Sequence, residues 1–250
     1  DNDAFNRLYE YLGPDHINSR MWELGFPKTR IRHRLSLSLT ERENQYANAI
    51  QFYNDSGVIF EEPFREMRLD LDSPFEDFLL GDSHKVKGEK VEEPMDFSRK
   101  NFMSIPDQHK FLIQLIFPNQ NNSENQLSLS ELDQKFILSK MSMLPRHSTN
   151  PKYGAKYYDG YCKFFMYGDS KARIPDHIKI FNKVGLAYGF VLDNAYIIDQ
   201  KHGVEFFLTA VVYGNRNGVL NDNIYDYDTL TIPFLSALGD AIYQLSLIHI

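Results

Sequence analysis

Two stretches of the sequence decide the fold: IKIFNKVGLAYGFVLDNAYIID at residues 178–199 and VEFFLTAVVY at residues 204–213. Both are rich in Val, Ile, Phe and Tyr, which favour β-strands. We predict three strands, Ile178–Val184, Ala187–Ile198 and Val204–Tyr213, with turns at Gly185 and at Asp199–Gly203. Connections this short join antiparallel neighbours, so the pattern predicts an antiparallel meander.

Helical spacing of apolar residues is found on both sides of this meander. Ahead of it we predict one helix through residues 3–12, ended by Gly13-Pro14, and a second, capped by Asp15, that ends at Gly25. Further helices are predicted from Pro106 to Pro118, from a Ser128–Glu131 capping box to Pro145, and from Pro233 onward. A loop is expected at Asn119–Asn125.

Residues 26–100 show no clear period, and we interpret them as long loops with a few short elements. The whole pattern favours an α/β fold of the α+β kind, in which helices pack an antiparallel sheet of C-terminal strands.

The composition excludes several classes of protein. The formal net charge is −7 and no basic stripe is visible, so we expect no nucleic-acid partner. No run of about 18 apolar residues occurs, so no transmembrane segment is expected. Cys162 is the only cysteine, so no intrachain disulfide can form, and we expect its thiol to be free and buried. The histidines show no His-Glu-x-x-His spacing, and we expect neither a metal site nor a cofactor.

Two short fragments carry a catalytic signature. Lys183-Val184-Gly185 matches Lys-Thr-Gly except at its second residue, and Asp1-Asn2 matches the end of Ser-Asp-Asn. Gly189-Phe190-Val191-Leu192-Asp193-Asn194-Ala195 matches the pattern Gly-x-x-x-Asp-x-Ala that follows the Lys-Thr-Gly strand. The proteins that carry this signature also have an omega loop. Two segments here are similar to the approach to that loop: Trp22-Glu23-Leu24-Gly25 and Thr29-Arg30-Ile31.

Together these residues resemble the penicillin-recognising serine hydrolases of the class A β-lactamase type. The resemblance covers both ends of the chain and leaves residues 40–125 as a divergent or inserted region. It implies one truncated β-lactamase/transpeptidase-like domain over residues 1–244, whose N-terminal part is missing. It also implies an exported, periplasmic parent that acts on a small-molecule or peptide substrate.

The resemblance also implies roles for individual residues. Lys183 would face the substrate carboxylate as a compact positive charge. Gly185 would let a substrate amide pair along the strand edge, beside Val184. The backbone N–H of Leu186 would be an oxyanion donor, and the Asn2 side chain would hold the substrate's amide carbonyl. Asp1 would anchor its loop.

Three departures from the family pattern limit these expectations. No serine is followed three residues later by lysine, so this chain lacks the nucleophile and is expected to be inactive alone. Val184 occupies the position at which the family has threonine or serine, so the hydroxyl that would assist Lys183 is missing. Leu35 lies near the position of the glutamate that primes the deacylating water, and Glu41 or Glu43 could replace that glutamate only in a longer loop. A non-catalytic binding or scaffolding module, or a peptidase or esterase of the same superfamily, therefore stays an alternative, as does a generic α/β domain.

The last six residues, 245–250, resemble the translation of a sequencing-library adapter. We interpret them as a scar, the alternative being native apolar helix residues.

Overall fold

A computed structural model describes residues 2–68, 71–73, 78–119 and 126–248. The chain has 35% helix and 26% strand, arranged in small and mainly antiparallel sheets, which confirms the α+β class. It divides into two compact units. Unit 1 comprises residues 1–79 and 96–104, and unit 2 comprises residues 80–95 and 105–250.

Unit 1 begins with the two predicted helices, α1 (Asn2–Leu12) and α2 (Pro14–Glu23). The predicted cap at Asp15 is wrong. Gly13, with φ of 82°, is the N-cap of α2, and Pro14 is its first residue. Proline suits that position because its missing N–H would be unpaired there anyway.

Most of the remaining elements of unit 1 are short strands in the stretch that we interpreted mainly as loops. A helical turn, α3 (Glu41–Asn44), precedes two antiparallel pairs. The first joins β1 (Tyr46–Ala47) to β4 (Arg65–Glu66), and the second is a hairpin of β2 (Ile50–Asn54) and β3 (Gly57–Glu62).

A small core holds unit 1 together. Tyr9, Ala47 and Met67 are buried, and Phe5, Ile17 and Ile31 pack against them. Beside this core the Arg34 guanidinium forms a buried ion pair with Glu10 at 2.9 Å. Losing either partner would leave an uncompensated buried charge, so the pair fixes the loop after α2 against α1.

Unit 2 is built on the meander of β9 (Ile178–Ala187), β10 (Phe190–Asp199) and β11 (Val204–Tyr213), in the order β11-β10-β9. The three predicted strands are confirmed, but the predicted turn at Gly185 is wrong. Gly185 lies inside β9, paired with Leu192, and the turn is Tyr188-Gly189 with φ of 52° and 86°. Positive φ at both positions is the requirement of a type I′ hairpin, and Gly189 meets it without strain.

Helices cover both faces of this sheet. On one face, α6 (Phe164–Tyr167) and α7 (Ile232–Ile248) pack over the main core, which includes Ile180, Val191, Ala195 and Leu235. On the other face α4 (Ile105–Ile116) lies over β10 and β11. There the Asn194 side chain donates to the Gln108 carbonyl, and His109 Nδ1 lies 2.8 Å from Thr209 Oγ1.

The fifth helix, α5 (Glu131–Ser142), lies against β9. Its predicted capping box at Ser128 is wrong, because Ser130 is the N-cap and its hydroxyl accepts from the Asp133 N–H. Of the loop predicted at Asn119–Asn125, residues 120–125 lie outside the described part of the chain.

The remaining elements of the described residues are short. They are β5 (Leu79–Leu80), β6 (Ser83–Val86), β7 (Glu89–Val91), β8 (Met95–Asp96), β12 (Val219–Leu220), 3₁₀ turns at Pro145–His147 and Asp159–Cys162, and a π-helical turn at Tyr227–Thr231. In unit 2, β6 pairs antiparallel with β7 and parallel with β12.

By length and composition alone, one helical stretch of the described residues could cross a membrane. It is Tyr227–Ile248, with a mean hydropathy of 1.2. Leu235, Ser236 and Gly239 of this stretch are buried in unit 2, and 22% of its apolar window is buried.

Candidate functional site

The candidate site lies on the side of β9 that faces away from β10. The two-residue turn makes Ala187 and Phe190 the closing pair, which exchanges both of its hydrogen bonds. Since this pattern alternates along an antiparallel pair, Gly185 and Lys183 also bond to β10, whereas Leu186 and Val184 point their N–H and C=O groups away from it. No described strand pairs with β9 on that side.

The Lys183 ammonium lies at this same edge. Its Nζ donates to the Val184 carbonyl oxygen at 2.5 Å, and its side chain is exposed. One exposed cation is therefore placed beside an outward carbonyl and, two residues on, the outward N–H of Leu186.

Gly185 leaves the middle of this edge open. A Cβ added there would meet no atom within 4 Å. Its backbone has no positive φ, so neither a turn nor a close neighbour requires glycine at this position. Close approach of another backbone or a ligand is one of the features that glycine often marks within a strand.

Behind the edge lies a buried polar chain. Asp193, opposite Val184 on β10, accepts from the backbone N–H groups of Phe164 at 2.9 Å and Phe165 at 3.2 Å. Its other oxygen accepts from the Asn182 amide at 2.8 Å. The Asn182 oxygen in turn accepts from Lys163 Nζ at 2.5 Å, so α6, β9 and β10 are linked directly beneath Lys183 and Val184.

Burial shifts the pKa values of the two ionisable residues in this hydrogen-bonded set, Asp193 and Lys163. It raises the pKa of Asp193 to about 6, against the opposing effect of the hydrogen bonds from Asn182 and the two amides. It lowers the pKa of Lys163 to about 8, although the charge of Asp193 acts in the opposite direction. Both side chains are buried, so we interpret both residues as positioning residues for β9.

Sequence reasoning missed this polar chain. Asp193 appeared only as a member of the Gly-x-x-x-Asp pattern, and Lys163 was not singled out. A lysine flanked by Cys162, Phe164 and Phe165 is nevertheless a signal, because a charged residue in an apolar run requires buried partners. Cys162 itself is free but exposed, so its predicted burial is wrong.

The predicted residues of the N-terminal motif lie in unit 1. Asn2 is the first residue of α1, is exposed, and donates from Nδ2 to Ser36 Oγ at 2.7 Å. Asp1 lies outside the described residues. Its predicted role as a loop anchor stays a prediction.

Leu35, which lies near the position expected for a water-priming glutamate, carries no carboxylate. Its backbone N–H and C=O both bond to the Asn6 side chain. Glu43 closes a capping box with Thr40, and Glu41 pairs with Arg99. Both glutamates that could substitute therefore already have partners.

A cavity of about 470 Å³ lies beside the first half of β9, between that strand and the end of α5. Arg146, His147 and Gln200 contribute to its lining, whereas Lys183 and Gly185 do not. The cavity is therefore separate from the edge described above, and the chemistry of the edge is the better guide to a site.

Comparison with known proteins adds no relationship. A scan against protein-family models matches none of them, and a search of curated proteins finds no match.

Proposed function

We propose that this chain is the C-terminal part of a serine hydrolase related to class A β-lactamases. The observation that supports it is the edge of β9, where the exposed ammonium of Lys183, the open position at Gly185 and the outward N–H of Leu186 follow one another. An extended substrate amide can add to such an edge as a further strand.

Each group then has one task. The Lys183 ammonium would attract a substrate carboxylate, as a compact point charge does in many anion sites. The Leu186 N–H would donate to the oxygen on which negative charge develops. The role of Asn2, to hold the amide carbonyl of the substrate, is proposed from the family resemblance alone.

The reaction would be acyl transfer to a serine. The serine oxygen attacks the carbonyl carbon of a β-lactam or a related amide or ester, the bond to nitrogen or oxygen breaks, and the serine proton passes to the leaving atom. Water then cleaves the acyl ester. Since no serine here is followed three residues on by lysine, the nucleophile would come from outside these 250 residues. The same resemblance supports an exported, periplasmic parent.

Val184 favours a second candidate, a non-catalytic binding or scaffolding module of the same fold. Its side chain packs against the main core and carries no hydroxyl to assist Lys183. A peptidase or esterase of the same superfamily is the other alternative that the resemblance leaves open.

The test uses the full-length protein from the parent gene and measures the rate at which fluorescent penicillin labels it. Lys183→Ala is expected to slow labelling by roughly 10- to 100-fold, because the charge that orients the carboxylate is lost. Lys179→Ala is the matched control. Lys179 is exposed on the same strand and, four residues earlier, on the same face, and its loss should change the rate less than about twofold.

Mass spectrometry of the labelled protein separates the candidates. An acyl adduct on a serine of a Ser-x-x-Lys motif supports the hydrolase. A full-length protein that has this motif but forms no adduct with penicillin supports the non-catalytic module. Equal labelling of the Lys183→Ala and Lys179→Ala variants would remove β9 from the site.

A further inference from the structure

The opposite end of the meander brings together three side chains that the proposed hydrolase does not use. His177 directly precedes β9, Asp199 ends β10, and His202 lies in the turn that leads to β11. The Gln200 N–H donates to the His177 carbonyl at 2.9 Å, which extends the strand pairing to this point. The backbone of the sheet therefore fixes the cluster.

The donor atoms of the cluster lie at distances close to those of a metal site. His202 Nδ1 is 2.7 Å from Asp199 Oδ2, and His177 Nε2 is 3.9 Å from Asp199 Oδ1. One donor atom from each residue lies within 4.8 Å of the other two. Ligand atoms about 2.1 Å from a tetrahedral zinc ion are roughly 3.4 Å apart, so zinc would replace the His202–Asp199 hydrogen bond and bring the His177 ring closer to the carboxylate.

Hydrogen bonds hold the Asp199 carboxylate in a fixed orientation. Tyr243 donates to Oδ2 at 2.5 Å, and the backbone N–H groups of Lys201 and His202 donate to Oδ1. Such outer contacts orient a ligand and tune its basicity in metal sites.

The surroundings also leave an open side. Asp199 is fully buried, whereas the side chains of His177 and His202 keep 35% and 42% of their surface exposed. An ion could enter from solvent and retain water as further ligands. Two imidazoles and one carboxylate suit zinc and its transition-metal neighbours, while calcium and magnesium prefer oxygen ligands alone.

We propose that His177, Asp199 and His202 form a zinc-binding site that ties the start of β9 to the turn between β10 and β11. His177 is six residues before Lys183, about 20 Å along an extended strand. The ion would therefore act on the stability of unit 2, and the site is independent of the proposed hydrolase chemistry.

The experiment is a titration of zinc chloride into the chelator-treated chain, followed by calorimetry and by the thermal unfolding midpoint. We expect one zinc ion per chain with a dissociation constant on the order of micromolar, and a midpoint that rises with zinc concentration. Calcium or magnesium in hundredfold excess should not compete. Cobalt should give visible absorption bands typical of nitrogen and oxygen ligands.

His177→Ala is the decisive variant, because the ring is partly exposed and its contacts are the 3.9 Å approach to Asp199 and an edge contact with the His202 ring at 6.1 Å between centroids. It should weaken zinc binding at least tenfold and remove the cobalt bands, with an unchanged far-ultraviolet circular dichroism spectrum. His16→Ala, an exposed histidine of α2, is the control and should bind as the wild type does. Wild-type affinity in His177→Ala, or no binding by the wild type at millimolar zinc, would overturn the proposal.

Discussion

The buried pair of Asp193 and Lys163 shows how single residues control the position of β9. Neither forms a direct ion pair with the other, and both are connected through the Asn182 amide. An amide can donate to one neighbour and accept from the other, so it satisfies a carboxylate and an ammonium at once. The arrangement gives these buried polar groups hydrogen-bond partners, while burial shifts the pKa values of Asp193 and Lys163.

A pH dependence of stability follows from Asp193. Its pKa is about 6 in the folded chain against an ordinary value of 3.8, so the folded state holds a proton that the unfolded state has released. The resulting stabilisation is complete below about pH 4 and is lost as pH rises through 6. The free energy of unfolding changes by an amount on the order of 2–3 kcal/mol, since each pKa unit corresponds to about 1.4 kcal/mol.

Asp193→Asn tests this prediction. Urea denaturation of the variant should show a lower stability by about 1–3 kcal/mol, because an amide cannot accept all three hydrogen bonds. The decline between about pH 4 and pH 6 should be absent from the variant and present in the wild type. Parallel curves for the two proteins over this range would contradict the assignment.

At the scale of the elements, Gly189 is predicted to matter for stability and Gly185 for binding only. An alanine at Gly189 would have a strained φ of 86°, and its Cβ would lie 3.0 Å from the Gly214 carbonyl oxygen. Gly189→Ala should therefore cost about 1–2 kcal/mol in the free energy of unfolding. Gly185→Ala should leave that free energy nearly unchanged, because its Cβ meets nothing within 4 Å.

The two variants together separate folding from recognition. If the edge of β9 takes up a substrate backbone, Gly185→Ala should slow penicillin labelling of the full-length protein without a change in its urea midpoint. A large loss of stability in Gly185→Ala would show that this position is tightly packed rather than open.

The contact between α7 and α6 depends on Gly239. A Cβ at that position would lie 2.5 Å from the Met166 backbone nitrogen and 2.8 Å from Phe165 Cβ. Alanine is the better helix former by about 1 kcal/mol, but a backbone clash of this kind exceeds that gain. Gly239→Ala should destabilise the chain by about 2 kcal/mol in urea denaturation, whereas Gln244→Ala on the exposed side of α7 should be neutral.

At the scale of the whole molecule, the sequence predicts unit 2 better than unit 1. The meander is visible because long strands with one face on the main core carry a β-branched and aromatic signal. The strands of unit 1 are two to six residues long, and β2 and β3 are exposed along most of their length, so no alternation marks them. The exact turn at Tyr188-Gly189 was missed because tyrosine is unusual at a positive φ.

The same contrast holds for the sites. A contiguous motif predicts Lys183, Val184, Gly185 and Leu186 as site residues, whereas strand pairing is what brings His177 to the proposed zinc site. Asp199 and His202 are three residues apart in one turn, whereas His177 directly precedes β9 and no sequence spacing connects it to them. Residues that only the sheet register brings together are therefore beyond a motif search.

The exposed hairpin of β2 and β3 leads to a prediction about the behaviour of the whole chain. Tyr53, Val58 and Ile59 are 79%, 55% and 65% exposed, and within the described residues the two strands pair only with each other. Unpaired strand edges that carry apolar side chains promote association between copies. We expect the chain to associate as its concentration rises, and the dye ANS to bind it.

Ile59→Lys should reduce both effects, because a charge on an edge strand opposes edge-to-edge pairing. Leu132→Lys is the control: Leu132 is 79% exposed but lies on helix α5, where no strand edge is available. Light scattering at increasing concentration measures the association of all three proteins. A wild-type chain that stays monomeric at about 100 µM and melts reversibly, or an equal effect of the two lysine variants, would show that strand pairing at this hairpin does not drive association.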